Sequence, residues 1–253
     1  MDTLIWIFVF IIGMVASFID SAFKMGYGLA TPTLILLGFN PIIVVSTLLF
    51  SQLFAGFTKT IYFSIFHHTP FLENEQEIRL NIYYIITGMA GMVGAIILVY
   101  LLSELYVLLY IGIMIIFVGI ITILNFKLKF TNRKFYLISI ISGFNQSISA
   151  AGYGPLATYQ ELMKDGDYKK TRAITSISEA ILSGFGFLLY FVLYDLLFDQ
   201  IQLMIILITT GMISTPFGAL TSDILNKKKS KIIIGISSII IGILLILRIF
   251  SII

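Results

Sequence analysis

Charged and turn-forming residues cut this chain into ten apolar stretches, at 4–23, 28–39, 42–66, 80–102, 105–126, 135–151, 155–163, 173–194, 201–225 and 232–250. A helix rising about 1.5 Å per residue needs roughly 20 apolar residues to cross about 30 Å of hydrocarbon. Most of the stretches approach or exceed that length. The two at 28–39 and 155–163 fall short and are expected to be half-helices, in re-entrant hairpins or in broken spans. Only 11% of the 253 residues are charged, under half of the roughly 25% found in soluble domains, so no separate soluble domain fits beside the spans. The expected fold is an all-α polytopic membrane protein with about eight full spans plus a half-helix in each half of the chain. Met1-Asp2-Thr3 offers no basic residue ahead of the first stretch, which reads as a retained span and not a cleaved leader.

The basic residues set the orientation. Lys127, Lys129, Arg133 and Lys134 form one cluster, Lys164, Lys169, Lys170 and Arg172 a second, and Lys227, Lys228, Lys229 and Lys231 a third, together 12 of the 16. Positive loops stay cytoplasmic. For all three to share that side, 135–172 must leave and return as a hairpin, and the next two spans must cross out and back around Asp195 and Asp199. Both termini then lie outside, in a multi-pass cell-membrane protein whose Lys227–Lys229 run can also meet anionic lipid.

The chain repeats itself. Phe18 to Gly28 reads FIDSAFKMGYG, and 126 residues later Phe144 to Gly154 reads FNQSISAAGYG. Ser51-Gln52 then aligns with Ser178-Glu179, Gly56-Phe57 with Gly184-Phe185, Gly88-Met89 with Gly211-Met212, and Ile111-Gly112-Ile113 with Ile234-Gly235-Ile236. This divides the membrane domain into a first repeat over 1–126, a cytoplasmic linker at 127–134 and a second repeat over 135–253. Five segments per half is an odd number, so the second half enters the membrane from the opposite side. In inverted repeats of this kind the site lies near the midplane among interrupted helices, whose N-termini attract anions.

These residues resemble the sulfite exporter TauE/SafE family, also called the toluenesulfonate uptake permeases. The resemblance rests on the paired breaks, on the short segment ending in Gly-Phe-Asn-Pro at Gly38 to Pro41 with a Ser/Thr-rich span after it, and on Thr-Pro-Phe-Gly-Ala at Thr215 to Ala219. It implies transport of small sulfur-containing or organic anions such as sulfite and sulfonates.

The candidate site residues cluster at the breaks. Gly26, Tyr27 and Gly28 in one half, and Gly152, Tyr153 and Gly154 in the other, either only let the backbone turn and pack closely or act as hinges that aim the next half-helix at a ligand. Lys24 either snorkels, pairs with Asp20 one turn earlier or contacts the anion, since an ionisable residue inside the membrane is a functional candidate by default. Asn145, Gln146, Ser147 and Ser149 offer polar groups to substrate oxygens or tie helices together. Glu179, with Gln52 as its counterpart, has no basic residue after it in its own span. It must be protonated, paired or exposed to a water-filled cavity, and a titrating carboxylate there would couple transport to protons. Lys59, near the inner end of its span, is expected to snorkel.

Other chemistries find little support. The chain has no cysteine and only His67 and His68 as histidines, so thiolate, His-rich metal and cysteine-nucleophile sites are not expected. It lacks a G-x-x-x-x-G-K-[ST] loop, so it does not drive transport with ATP by itself. No cofactor and no nucleic acid is expected as a partner; the partners read from the sequence are a small anion, protons and the bilayer. The residues favour a secondary transporter of small anions, working by alternating access at the repeat interface, over an intramembrane enzyme or an anion channel; that it works as an exporter is what the family resemblance implies.

Overall fold

The computed structural model describes residues 3–67, 75–124, 132–151, 168–194, 201–221 and 224–252, all of them helical or in short connections. The helices are α1 (Thr3–Phe23), α2 (Gly26–Leu36), α3 (Pro41–His67), α4 (Glu75–Leu101), α5 (Glu104–Leu124), α6 (Asn132–Ser149), α7 (Tyr168–Tyr194), α8 (Ile201–Thr221) and α9 (Lys227–Ile252). Among the described residues seven are long and apolar enough to cross a membrane, where about eight were expected. The difference is α6, whose 18 residues open on Asn132-Arg133-Lys134 and close on Asn145-Gln146-Ser147, leaving too short an apolar middle. The expected second half-helix, at 155–163, lies outside the described residues.

The first short stretch is a hairpin arm. α1 ends at Lys24, whose φ of 61° is left-handed and whose N–H donates to the Asp20 carbonyl at 2.8 Å, a single-bond helix stop. α2 then folds back along α1. Its first residue, Gly26, sits so close to the Ala16 carbonyl and the Asp20 nitrogen that a Cβ would collide with α1 backbone, and Phe39 after its last turn packs its ring on Trp6. With 11 residues, α2 covers about 16 Å at 1.5 Å per residue, half a membrane.

The Gly-Phe-Asn-Pro turn ends α2 and starts α3. Gly38 has φ 100°, and the N–H groups of Gly38 and Phe39 return to the carbonyls of Ile35 and Leu34, the bond pair that lets a glycine close a helix. The Asn40 side chain then accepts the Ile42 N–H at 2.9 Å, capping α3 with Pro41 at its first position. Arg248 of α9 donates to the Ile35 carbonyl at 2.6 Å, tying the half-helix to the last span.

Apart from α1 with its hairpin arm α2, the principal packing pairs are α3 with α7, α5 with α9, α1 with α8, α4 with α6, α3 with α8 and α4 with α7. Exchanging α1, α3, α4 and α5 for α6, α7, α8 and α9 leaves this set unchanged. Glycines give the directions. Gly112 meets the Gly242 carbonyl and Gly119 the Gly235 carbonyl, so α5 and α9 are antiparallel. Gly56 meets Ala180 while Leu53 meets Gly184, so α3 and α7 are antiparallel too. By contrast the Ser214 hydroxyl donates to the Met14 carbonyl and Gly218 meets the Phe18 carbonyl, so α1 and α8 run parallel. Small residues at these crossings let backbones approach, as membrane helices require. Large apolar side chains such as Leu101, Val192 and Phe250 stay mostly exposed on the outer faces, as a lipid-facing surface would have them.

Candidate anion site between the helix breaks

Four buried charges from three helices and the first break meet at that break. Lys24 reaches across to α7, where its Nζ donates to Glu179 Oε2 at 2.9 Å and to Ser176 Oγ at 3.1 Å. Asp20, one turn before the break, accepts from Lys59 Nζ of α3 at 2.6 Å, and Lys59 Nζ also lies 3.4 Å from Glu179 Oε2. Each of the four residues is at most 3% exposed. Two ammonium groups and two carboxylates sum to zero, which is what permits such burial: desolvation of each ion is offset only by well-placed partners.

This geometry corrects two readings and decides a third. Lys24 makes its carboxylate contact with Glu179, 155 positions away, and no Lys24–Asp20 ion pair forms, because the left-handed turn at Lys24 takes its side chain off the α1 surface. Lys59 does not snorkel; it is buried, and its ammonium is fixed between a carboxylate of α1 and one of α7. Glu179 is paired, one of the three states that its position allowed, and its partners come from other segments. Lys59 is the residue that sequence reasoning missed. The signal was present, since a lone lysine inside a span is itself a candidate by the rule that singled out Lys24.

An uncharged cluster, drawn like the charged one from both halves, stands at the matching positions. Asp20 corresponds to Gln146, Lys24 to Ala150 and Glu179 to Gln52. Gln146 Nε2 donates to Ser183 Oγ at 2.8 Å and to Gln52 Oε1 at 3.3 Å, and the Ser183 hydroxyl donates to Gln52 Oε1 at 2.9 Å. Ala150 also matches Lys24 in backbone, with φ 52° and its N–H on the Gln146 carbonyl at 2.9 Å. Left-handed non-glycine residues carry a strain of roughly 1–2 kcal/mol each. Here one closes the helix before each break.

The α6 terminus is tied down by neutral donors. The Tyr190 hydroxyl donates to the Ser147 carbonyl, Thr31 Oγ1 to the Ser149 carbonyl and Gln52 Nε2 to the Ala150 carbonyl. The Thr31 bond joins α2 to the second break, and Gly28 lies so close to Ala151 that a Cβ on it would sit 2.8 Å from the alanine methyl. The two breaks therefore touch.

A small, partly enclosed cleft lies beside them. Its polar wall carries Asp20, Lys24, Glu179, Ser149 and Ser238; α5 supplies an apolar wall of Ile111, Met114, Ile115 and Val118, one helical stripe. Of the residues proposed from sequence, Asp20, Lys24, Gly28, Ser149 and Glu179 line this cleft. Gly26 serves the α1–α2 contact. The Tyr27 hydroxyl lies among Ser17 and Ser51, away from the cleft, and Asn145 accepts from the Tyr110 hydroxyl. Gln52 and Gln146 form the neutral cluster, and the Ser147 hydroxyl bonds back to the Gly143 carbonyl. Gly152, Tyr153 and Gly154 lie outside the described residues. Among the described residues no group of three or more His, Asp or Glu side chains is arranged to hold a metal ion.

No curated protein and no solved structure matches the chain. The sulfite exporter TauE/SafE family profile matches residues 9–245, nearly the whole length. An apolar helical bundle with a lysine-bearing cleft is in keeping with that match, and the chain belongs to the sulfite exporter TauE/SafE family of membrane transporters.

Proposed function

We propose that this protein is a secondary transporter, working as an exporter, of small anions of the sulfite and sulfonate kind, and that the anion binds at Lys24 between the two breaks. The observation that carries this reading is the cleft itself, where a buried ammonium faces an apolar wall and segments from both halves converge. The wall carries one cation, Lys24, beside two carboxylates, so an anionic head with a small apolar body binds there at Lys24 in place of the Glu179 carboxylate. Binding of sulfite, methanesulfonate and short carboxylates to the purified protein, read as thermal stabilisation, tests it. Failure of every one of them to stabilise the protein would reject the substrate class.

The halves at 1–126 and 135–253 act in this reading as inverted repeats that exchange conformations to alternate access. The antiparallel crossings of α3 with α7 and of α5 with α9 support it, because equivalent helices related by an axis in the membrane plane must cross in opposite directions. Both termini then lie outside, with 127–134, 164–172 and 226–231 inside. The chain lacks cysteine, so single cysteines at Thr3, Lys129 and Lys228 can be labelled individually in intact cells. Position 3 should react with an impermeant reagent and positions 129 and 228 should not; labelling of either lysine position from outside would invert or break the topology.

Glu179 is the coupling carboxylate in this scheme. It lines the cleft and touches Lys24, so anion arrival and carboxylate charge are linked by contact. Glu179→Gln keeps shape and hydrogen bonds but cannot titrate. We expect it to retain anion binding while abolishing the pH dependence of transport; unchanged pH dependence would return Glu179 to a structural role.

A further inference from the structure

We propose, resting on the anion-transport reading above, that the site selects monoanions and takes up one proton with each, because Lys59 keeps Asp20 and leaves Lys24 and Glu179 as the exchangeable pair. Lys24 and Glu179 both line the cleft, whereas Lys59 does not. Asp20 also borders the cleft, but its Oδ2 is held by Lys59 at 2.6 Å. An oxyanion entering the cleft therefore reaches the ammonium that Glu179 occupies at 2.9 Å, and takes that carboxylate's place.

Charge balance then requires a proton. Before displacement Glu179 lies 3.4 Å from Lys59, an ammonium already committed to Asp20. A proton drawn from the buffer in bulk solvent passes through the cleft mouth to the Glu179 carboxylate and leaves a neutral carboxyl group, with the buffer's conjugate base remaining in bulk. Lys24 then balances the anion, Lys59 balances Asp20, and the sum stays zero. A dianion would leave one negative charge over, among charged side chains that are no more than 5% exposed, where an uncompensated charge is strongly disfavoured. Among the described residues the charged groups facing Glu179 are Lys24, Asp20 on α1 and Lys59 on α3. From α4 the neighbouring face brings Asn81, at Ser178, and from α6 it brings Gln146, at Ser183; neither titrates.

The test uses the full chain, with methanesulfonate as the monoanion and sulfate as the dianion, and reads affinity by calorimetry and proton uptake by an indicator dye in weakly buffered solution. Methanesulfonate should bind at least about tenfold more tightly than sulfate and take up about one proton. Asp20→Asn frees Lys59 to hold the displaced Glu179. Proton uptake with methanesulfonate should then fall toward zero, and sulfate affinity should rise about tenfold or more. Equal affinities for the two anions, or a folded Asp20→Asn variant with unaltered ratio and proton count, would overturn the proposal. Should that variant fail to fold, the proton count on the unaltered protein decides, and no uptake with methanesulfonate refutes it. Binding of neither anion would instead reject the transport reading beneath it, and this inference with it.

Discussion

Lys59→Met should destabilise the protein by about 3–5 kcal/mol, the usual cost of stripping one partner from a buried charge pair, seen as a thermal midpoint lower by on the order of ten degrees. The lysine is 1% exposed and holds Asp20 at 2.6 Å with Glu179 at 3.4 Å. Methionine fills nearly the same volume, so the loss is electrostatic and leaves no cavity behind. Lys24 alone would then face two buried carboxylates. Adding Asp20→Asn removes the surplus charge and should recover most of the stability, since a buried pair replaced as a pair is often neutral. Thermal unfolding of both variants in detergent measures this as a double-mutant cycle. A single variant that melts like the unaltered protein would mean that Lys59 finds water, as a snorkelling side chain does.

How much of this was legible in the sequence depends on how far apart the cooperating residues stand. The helix stops were legible because they are local: Gly38, Asn40 and Pro41 each carry their own conformational preference, and the α2 stretch was too short to span. The correspondence of Lys24 with Ala150 was legible as a repeat, and both prove to be left-handed. The partnership of Lys24 with Glu179 was not, because the separation of 155 positions carries no periodicity that says which face of α7 meets the break. Asp20 stood four residues from Lys24, the spacing of a helical ion pair, and this suggested the wrong partner; that spacing holds only while the helix continues, and α1 stops at Phe23. The neutral Gln52–Gln146–Ser183 cluster was half legible. Glutamine in the place of each acidic residue was visible by alignment, but the serine that joins them comes from packing.

That change of partner also alters how the role of Lys24 must be tested. Losing one charge-assisted contact costs about 1.5–3 kcal/mol, on the order of tenfold to a hundredfold in affinity, so Lys24→Ala should weaken anion binding by about that factor. Lys24→Arg should rescue it only in part, because a planar guanidinium needs different room beside Ser176. The rival explanation is that Lys24 merely neutralises Glu179, and that its loss harms the site by leaving a repelling carboxylate on the cleft wall. The two accounts separate in the Lys24→Ala, Glu179→Gln pair. If Lys24 serves only as a counter-ion, deleting both charges restores binding, as it restores the charge balance. If Lys24 holds the anion, the double variant regains thermal stability but binds no better than Lys24→Ala. The same cycle run with Asp20→Asn in place of Glu179→Gln should show far weaker coupling, since the ammonium that Asp20 touches belongs to Lys59. Strong coupling of Lys24 to Asp20 and none to Glu179 would contradict the geometry of the network itself.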